Sequence, residues 1–366
     1  MSLARDIADL GSSATRTAGS NNKNLIINGA MQVAQRGTSS TGLGASAGYF
    51  TCDRWKMDFN ATAGRLTMSQ ASDGPVGFAN CIKLDCTTAD TSIAAGEYIM
   101  LEQRFEGQDL QRIGKGTSSA KELTLSFYVK ANAAFTFGVE LFDNDNTRQI
   151  TKLFTTTTGW NRIELTYPAD TTGAFDDDNA RSLLVTFWLH SGSTYAGGTL
   201  NSSSWASVTN ANRAAGIDSF FSSTSNEFYI TGVQLEVGST ATDFEHRTFG
   251  DEILRCQRYF CRTYAYGTAT GTATSNGSAT GAAYATINYA GVPFRFPVEM
   301  RAAPTVQIYS TQNANTTGKV TADGADGTGG TAFTGRTSTL LHRNNDSTGV
   351  VANAFIKVHV TAEAEL

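Results

Sequence analysis

Several residue groupings in this 366-residue chain have types and spacings that could do chemistry. Gly44-Ala45-Ser46-Ala47-Gly48 satisfies the G-x-S-x-G pattern of a serine nucleophile, but such an elbow needs a strand before it and a helix after it. It lies instead in the small-residue run TSSTGLGASAG, so Ser46 is not expected to attack a substrate. GKGTSS (114–119) lacks the spacing of a phosphate-cradling loop and reads as a turn. Carboxylate pairs, the requirement of a glycosidase, are Asp143 with Asp145, Asp176 to Asp178, and Glu102 with Glu106. The aspartates stand in DNDN and DDDN, clusters that favour solvated turns. The first of these would also offer hard oxygens to calcium, but the 12-residue EF-hand loop is missing. The pairs Cys81/Cys86 and Cys256/Cys261 match no zinc spacing and the four histidines are scattered. No catalytic residue, metal or cofactor is therefore expected, and the cysteines are expected to be buried thiols, with no Cys256–Cys261 disulfide. Sugar recognition needs aromatic rings over sugar faces with amides and carboxylates at the edges. Trp188, Tyr195 and Trp205 flank a polar Gly/Ser loop, 191–204. Trp188 belongs to an apolar strand and reads as core, which leaves Tyr195 and Trp205 as the ligand-binding candidates, on a loop at the end of a sandwich.

The elements that must position these residues are strands. ELTLSFYVKA (122–131) puts Leu123, Leu125, Phe127 and Val129 on one face, and FTFGVELF (135–142) and 160–167 alternate in the same way. SLLVTFWLH (182–190) is apolar on both faces, and EFYITGVQLEVG (227–238) closes the series. Turn clusters at 143–146, 155–159 and 176–179 separate them, the punctuation of an antiparallel sandwich. FGDEILRCQRYFCRTY (249–264) changes the period: Phe249, Ile253, Cys256 and Phe260 recur at helical spacing, with Asp251 and Glu252 in the first turn. At the other end, Leu3, Ile7 and Leu10 share one face of a short amphipathic helix over 2–10, followed by a flexible linker. A helix so short is marginal alone, so a docking role through Leu3, Ile7 and Leu10 is expected.

The expected organisation is a docking helix and linker (1–22), a β-sandwich (23–248), a connecting helix (249–264) and a smaller β domain (265–366). Segments 265–283 and 311–335 have almost no large apolar residues, and partners from identical chains are the expected source of their order. Charged residues make up only 17% of the chain and the net charge is −5, which excludes a phosphate-tracking basic face and so a nucleic-acid partner. No apolar run is long enough to insert in a membrane, and residues 1–20 lack the apolar stretch of a signal peptide, so synthesis in a cytoplasm is expected.

Four separated segments carry a family resemblance: NLIINGAMQVAQRGTS (24–39), YFTCDRWKM (49–57), ELTLSFYVKA (122–131) and ITGVQLEVGSTATDFEHRTFGDEILRCQRYF (230–260). Together they resemble a module of bacteriophage tail-fibre and other virion appendage proteins, over roughly two thirds of the chain. The resemblance implies an all-β fold: an antiparallel jelly-roll β-sandwich similar to carbohydrate-binding modules, then a short helix and a second, smaller β domain. It further implies a non-enzymatic structural protein of the virion, a homotrimer, docked by its N-terminus on other virion proteins and displaying β domains to a host-surface polysaccharide. The alternatives are a capsid decoration or tail component that binds no glycan, and a polysaccharide depolymerase. Most of the matched residues are expected to be structural: Asn28-Gly29 a turn, Gln32, Gln35 and Arg36 bonded to neighbouring backbone, Asp53-Arg54-Trp55 an ion pair with an anchoring indole, and Phe244, Glu245 and Arg247 fixing the exit toward the helix.

Overall fold

A computed structural model of the chain describes residues 22–282, 289–344 and 354–366. The expected docking helix, with Leu3, Ile7 and Leu10, lies outside the described residues.

The antiparallel sandwich is present. One sheet has the order β1 (Ser39–Leu43), β4 (Arg65–Ala71), β5 (Cys81–Thr88), β13 (Glu227–Val237), β7 (Leu123–Ala131), β10 (Asn161–Tyr167). The other runs β12 (Ala206–Ser207), β9 (Arg148–Thr155), β8 (Thr136–Asp143), β11 (Arg181–Ser191), β6 (Tyr98–Glu106), β3 (Lys56–Asn60), β2 (Gly48–Tyr49). Alternating residues of both sheets meet between them. Leu125, Phe127 and Val129 of β7 face Val139, Leu141, Val185 and Phe187. Phe127 meets Phe154 and Phe187 edge to face, each at 5.1 Å between centroids, the arrangement aromatic quadrupoles prefer.

Apart from 122–131, which is β7, the matched segments turn out to be the clamp that closes this sandwich. Asn28 takes the left-handed conformation at φ 58°, and its amide bonds the carbonyls of Val33 and Asp53. A Cβ on Gly29 would lie 2.2 Å from the Val233 carbonyl, so only glycine fits there. Trp55 is buried, its indole donating to the Asn28 carbonyl at 3.1 Å. Glu245 accepts from the backbone of Lys23 and Asn24, and Arg247 donates to the Ile26 carbonyl at 2.9 Å. One expected pairing is different: Asp53 accepts from the Gln35 backbone and side chain, whereas Arg54 pairs with Glu365. Gln35 bonds the Phe260 carbonyl as expected, but Arg36 pairs with Glu363 and Glu365, 3.2 Å from each, rather than with backbone.

The helix α1 (Phe249–Gln257) is shorter than its periodicity implies. Thr248 caps it by accepting from the Asp251 backbone. It stops because Tyr259 is drawn to the buried Glu106 and the next residues form a strand, β14 (Phe260–Arg262). Cys261 is thus on that strand, not on the helix. All five cysteines are buried and free.

The smaller β body is organised on β21 (Phe355–Glu363). Toward its C-terminal end β21 pairs with β14 and β17 (Thr305–Tyr309); toward its start it pairs with β15 (Ala279–Ala282) and β18 (Lys319–Ala322). The path continues through β19 (Ala325–Ala332) and β20 (Ser338–Asn344) to β16 (Tyr289–Arg295). Val320, Leu341, Ile356, Val358 and Val360 form its small core. The Gly- and Thr-rich segment 311–335 therefore finds strand partners within its own chain, and the expectation that it needs identical neighbours for them is corrected.

Candidate functional site

The outer face of the second sheet carries a coherent set of polar and aromatic side chains. Strand register builds it row by row, because alternate residues of each strand point away from the core. One row is Lys56, Glu102, Thr186, Glu140 and Thr151; the next is Asp58, Met100, Trp188 and Gly138. Trp188 is fully buried, as its strand implies, but not between the sheets. It lies on this outer face, under a segment that turns over it at Ser193–Ala196 and returns through Arg213 and Ala214. That cover explains why the strand is apolar on both faces.

Glu140 is the anchor of the cover. Its carboxylate, fully buried, accepts from the Trp188 indole at 3.0 Å and from Arg213 at 2.8 and 2.9 Å in a two-pronged pair. Burial opposes the Arg213 charge, but Glu140 outweighs it and the guanidinium pKa is raised. The same guanidinium stands 5.0 Å from the Trp188 ring and 4.9 Å from Phe142.

Tyr98 and Tyr195 stand at the open edge of this cluster, both half-buried, ring to edge at 5.3 Å and 89°. Burial, then the nearby Asp58 carboxylate, pushes the Tyr98 phenol up to about 12, so it stays a neutral donor. Beside them Asp58 and Glu102 are linked by shared cations: Lys56 lies 2.9 and 3.5 Å from the two carboxylates, and Arg104 3.4 and 2.5 Å. Arg104 also donates to the Leu366 carbonyl at 2.9 Å, so residues 363–366 border the far end of the face.

Tyr195, an expected ligand-binding residue, therefore sits at this face. Trp205 does not. It is 9% exposed, packs with the sandwich core, and its indole donates to the Pro168 carbonyl at 2.9 Å. A ring held this way cannot lie under a sugar, and Trp205 as a ligand contact is corrected. Tyr98, Asp58, Glu102, Arg104 and Arg213 were not singled out for this face, because only strand register brings them together. For Tyr98, Glu102 and Arg104 the one sequence signal is polar or amphipathic residues at 98, 102 and 104, opposite the buried Ile99, Leu101 and Gln103.

Several of the other carboxylates are held by neighbouring groups. Asp143 is fully buried and 2.6 Å from Lys115, rather than a solvated turn residue. Asp145 and Asp178 cap turns by accepting from the Asp176 and Ala180 backbone. Glu106 is held by Arg258, Tyr259 and Gln108. Ser46 is exposed in the loop before β2 with no helix after it. A cavity of about 580 Å³ lies elsewhere, beside Asn22, His246, Asp251 and Leu254, but its charged lining is already paired, Arg247 with Glu245 and Arg255 with Asn22.

No family model and no curated protein matches this chain. Solved structures similar to part of it include a structure of CBM4, at 12% identity and TM-score 0.30, covering 57% of this chain and 97% of that one. A family 11 carbohydrate-binding module from Clostridium thermocellum, in complex with a β-1,3-1,4-mixed-linked tetrasaccharide, matches at 13% identity and TM-score 0.28, over 56% and 98% of the two chains. The enzymatically active domain of tailspike protein 4 of bacteriophage CBA120 matches at 12% identity and TM-score 0.30, covering 60% of this chain but 22% of that one. Likenesses this distant carry no argument about the ligand or role of this chain.

Proposed function

We propose that this chain is a non-enzymatic structural subunit of a phage tail fibre or similar virion appendage, and that the outer face of its second sheet binds host-surface polysaccharide. The observation that carries the binding reading is the Tyr98–Tyr195 pair standing beside Asp58, Glu102, Arg104 and Arg213. Aromatic faces and edges can take the apolar side of a sugar, while charged donors and acceptors within a few ångströms bond its hydroxyls. The virion role rests on the four matched sequence segments. Docking through residues 1–22 and assembly as a homotrimer belong to the same reading. Three copies would make a weak site sufficient by raising the effective concentration of the second contact.

Affinity electrophoresis in gels containing host polysaccharide tests the binding. Tyr195→Ala should weaken retardation about fivefold, roughly the 1 kcal/mol of a stacked ring, and Trp205→Phe should leave it unchanged. Equal retardation of the wild-type chain and of a gel without polysaccharide would overturn the reading. Release of reducing ends from the same polysaccharide would instead establish the depolymerase alternative. Light scattering tests the trimer: a mass of one chain at micromolar concentration would exclude a stable free trimer. Removing residues 1–22 should leave a folded chain that no longer joins particles.

A further inference from the structure

Among the described residues, one group of three metal-ligating side chains converges away from the face described above. Asp90 follows β5, Glu97 immediately precedes β6, and His190 lies near the end of β11. All three are buried: His190 is fully enclosed, and Asp90 and Glu97 are each 5% exposed. One ligand atom from each lies within 4.8 Å of the other two.

We propose that Asp90, Glu97 and His190 form a buried binding site for a first-row divalent cation of the zinc type. A second observation points to a ligand there. Glu97 Oε2 and His190 Nε2 are both enclosed and have no hydrogen-bond partner, yet they face each other at 3.6 Å. That is too long for a hydrogen bond and close to the roughly 3.3 Å between donor atoms of a tetrahedral site with bonds near 2.0 Å. Buried polar atoms are nearly always satisfied, so two orphans aimed at one point mark a missing partner.

The surroundings hold the imidazole in place. Ser219 Oγ lies 2.7 Å from His190 Nδ1, and the Phe221 ring packs against the imidazole at 5.5 Å. A hydroxyl accepting from Nδ1 leaves the Nε2 lone pair free for a metal, the usual support of a ligating histidine. Asp90 is fixed by Thr62 and by the Ala63 backbone, at 2.9 and 2.8 Å. One imidazole nitrogen with two carboxylates selects zinc-like cations over calcium or magnesium, which prefer all-oxygen sets. Such a site leaves no sequence signature, for a plain reason. The three ligands are spread over a hundred residues and form no local spacing pattern.

The test uses the full chain, stripped with chelator and given one equivalent of zinc chloride. About one zinc per chain should survive gel filtration, and the melting temperature should rise with zinc but not with the same concentration of calcium or magnesium. His190→Gln should lower retained zinc at least tenfold. Because that variant could fail to fold, crystals of the wild-type chain with zinc decide the matter independently. An anomalous peak at the zinc edge between these three side chains supports the site. No retained zinc, a peak elsewhere, or an equal thermal effect of calcium would overturn it.

Discussion

Glu365 does more for this molecule than its place in a polar sequence implies. It neutralises Arg54, whose side chain is 1% exposed, and pairs with Arg36 at 3.2 Å. The guanidinium of Arg54 also lies 3.5 Å over the Tyr259 ring, which shields that face from water. Glu365→Gln should therefore cost about 3–5 kcal/mol, the usual penalty for stranding a buried charge, read as a lower urea midpoint at unchanged slope. Glu106 contributes to the acid limb. Burial alone would raise its pKa, but hydrogen bonds from Arg258 and Tyr259 and the charges of Arg258 and Arg54 outweigh it and hold the carboxyl below its usual range. A lowered folded-state pKa contributes stability above the unfolded value, near 4.3, and loses it as pH falls through the folded value. Unfolding free energy should drop below about pH 4.5, and Glu106→Gln should flatten that slope by up to about 1.4 kcal/mol per pH unit. Neither partner of these pairs was legible beforehand. Asp53 and Arg54 are adjacent and opposite in charge, but they stand in a turn with Arg54 at φ 72°, and each found another partner, Gln35 and Glu365.

At the scale of the element, periodicity was legible wherever one face met the core. Leu123, Leu125, Phe127 and Val129 alternate because β7 buries that face, and the sandwich follows from repeating this strand by strand. The helix shows the limit. Phe260 continues the helical spacing of Phe249, Ile253 and Cys256, yet β21 offers backbone partners to 260–262, and pairing there won over propagation of α1. What remains of the helix depends on its cap. Thr248→Ala should cost about 1 kcal/mol, detectable as a lower melting temperature, while Thr248→Asp should restore it. Register explains why Tyr195 was a candidate from the sequence and Tyr98 was not. Tyr195 stands in a visible Gly/Ser loop, whereas Tyr98 acquires its role only when β6 lies beside β11.

For the whole molecule, the two β bodies are tied together by several polar contacts. Arg258 with Glu106, Arg301 with the Asn179 carbonyl at 2.9 Å, and Tyr266 with the Gln32 carbonyl at 2.9 Å all bridge them. Calorimetry should show one transition, with equal calorimetric and van't Hoff enthalpies; two resolved transitions would contradict this coupling. The sequence signalled two β regions but not their union, because the bridging residues are single polar side chains without pattern. The clamp over residues 23–36 has a temporal consequence. Its partners at 233, 245, 247 and 252 lie more than 200 residues downstream. At about 5–20 residues per second of synthesis, that is roughly ten to fifty seconds between making Asn24 and making Glu252. During that wait the sandwich has most of its strands but no lock, and its apolar interior is exposed to other nascent chains. Fast synthesis, or a chaperone that shields the unfinished sheet, would raise the yield of native protein without altering its final stability.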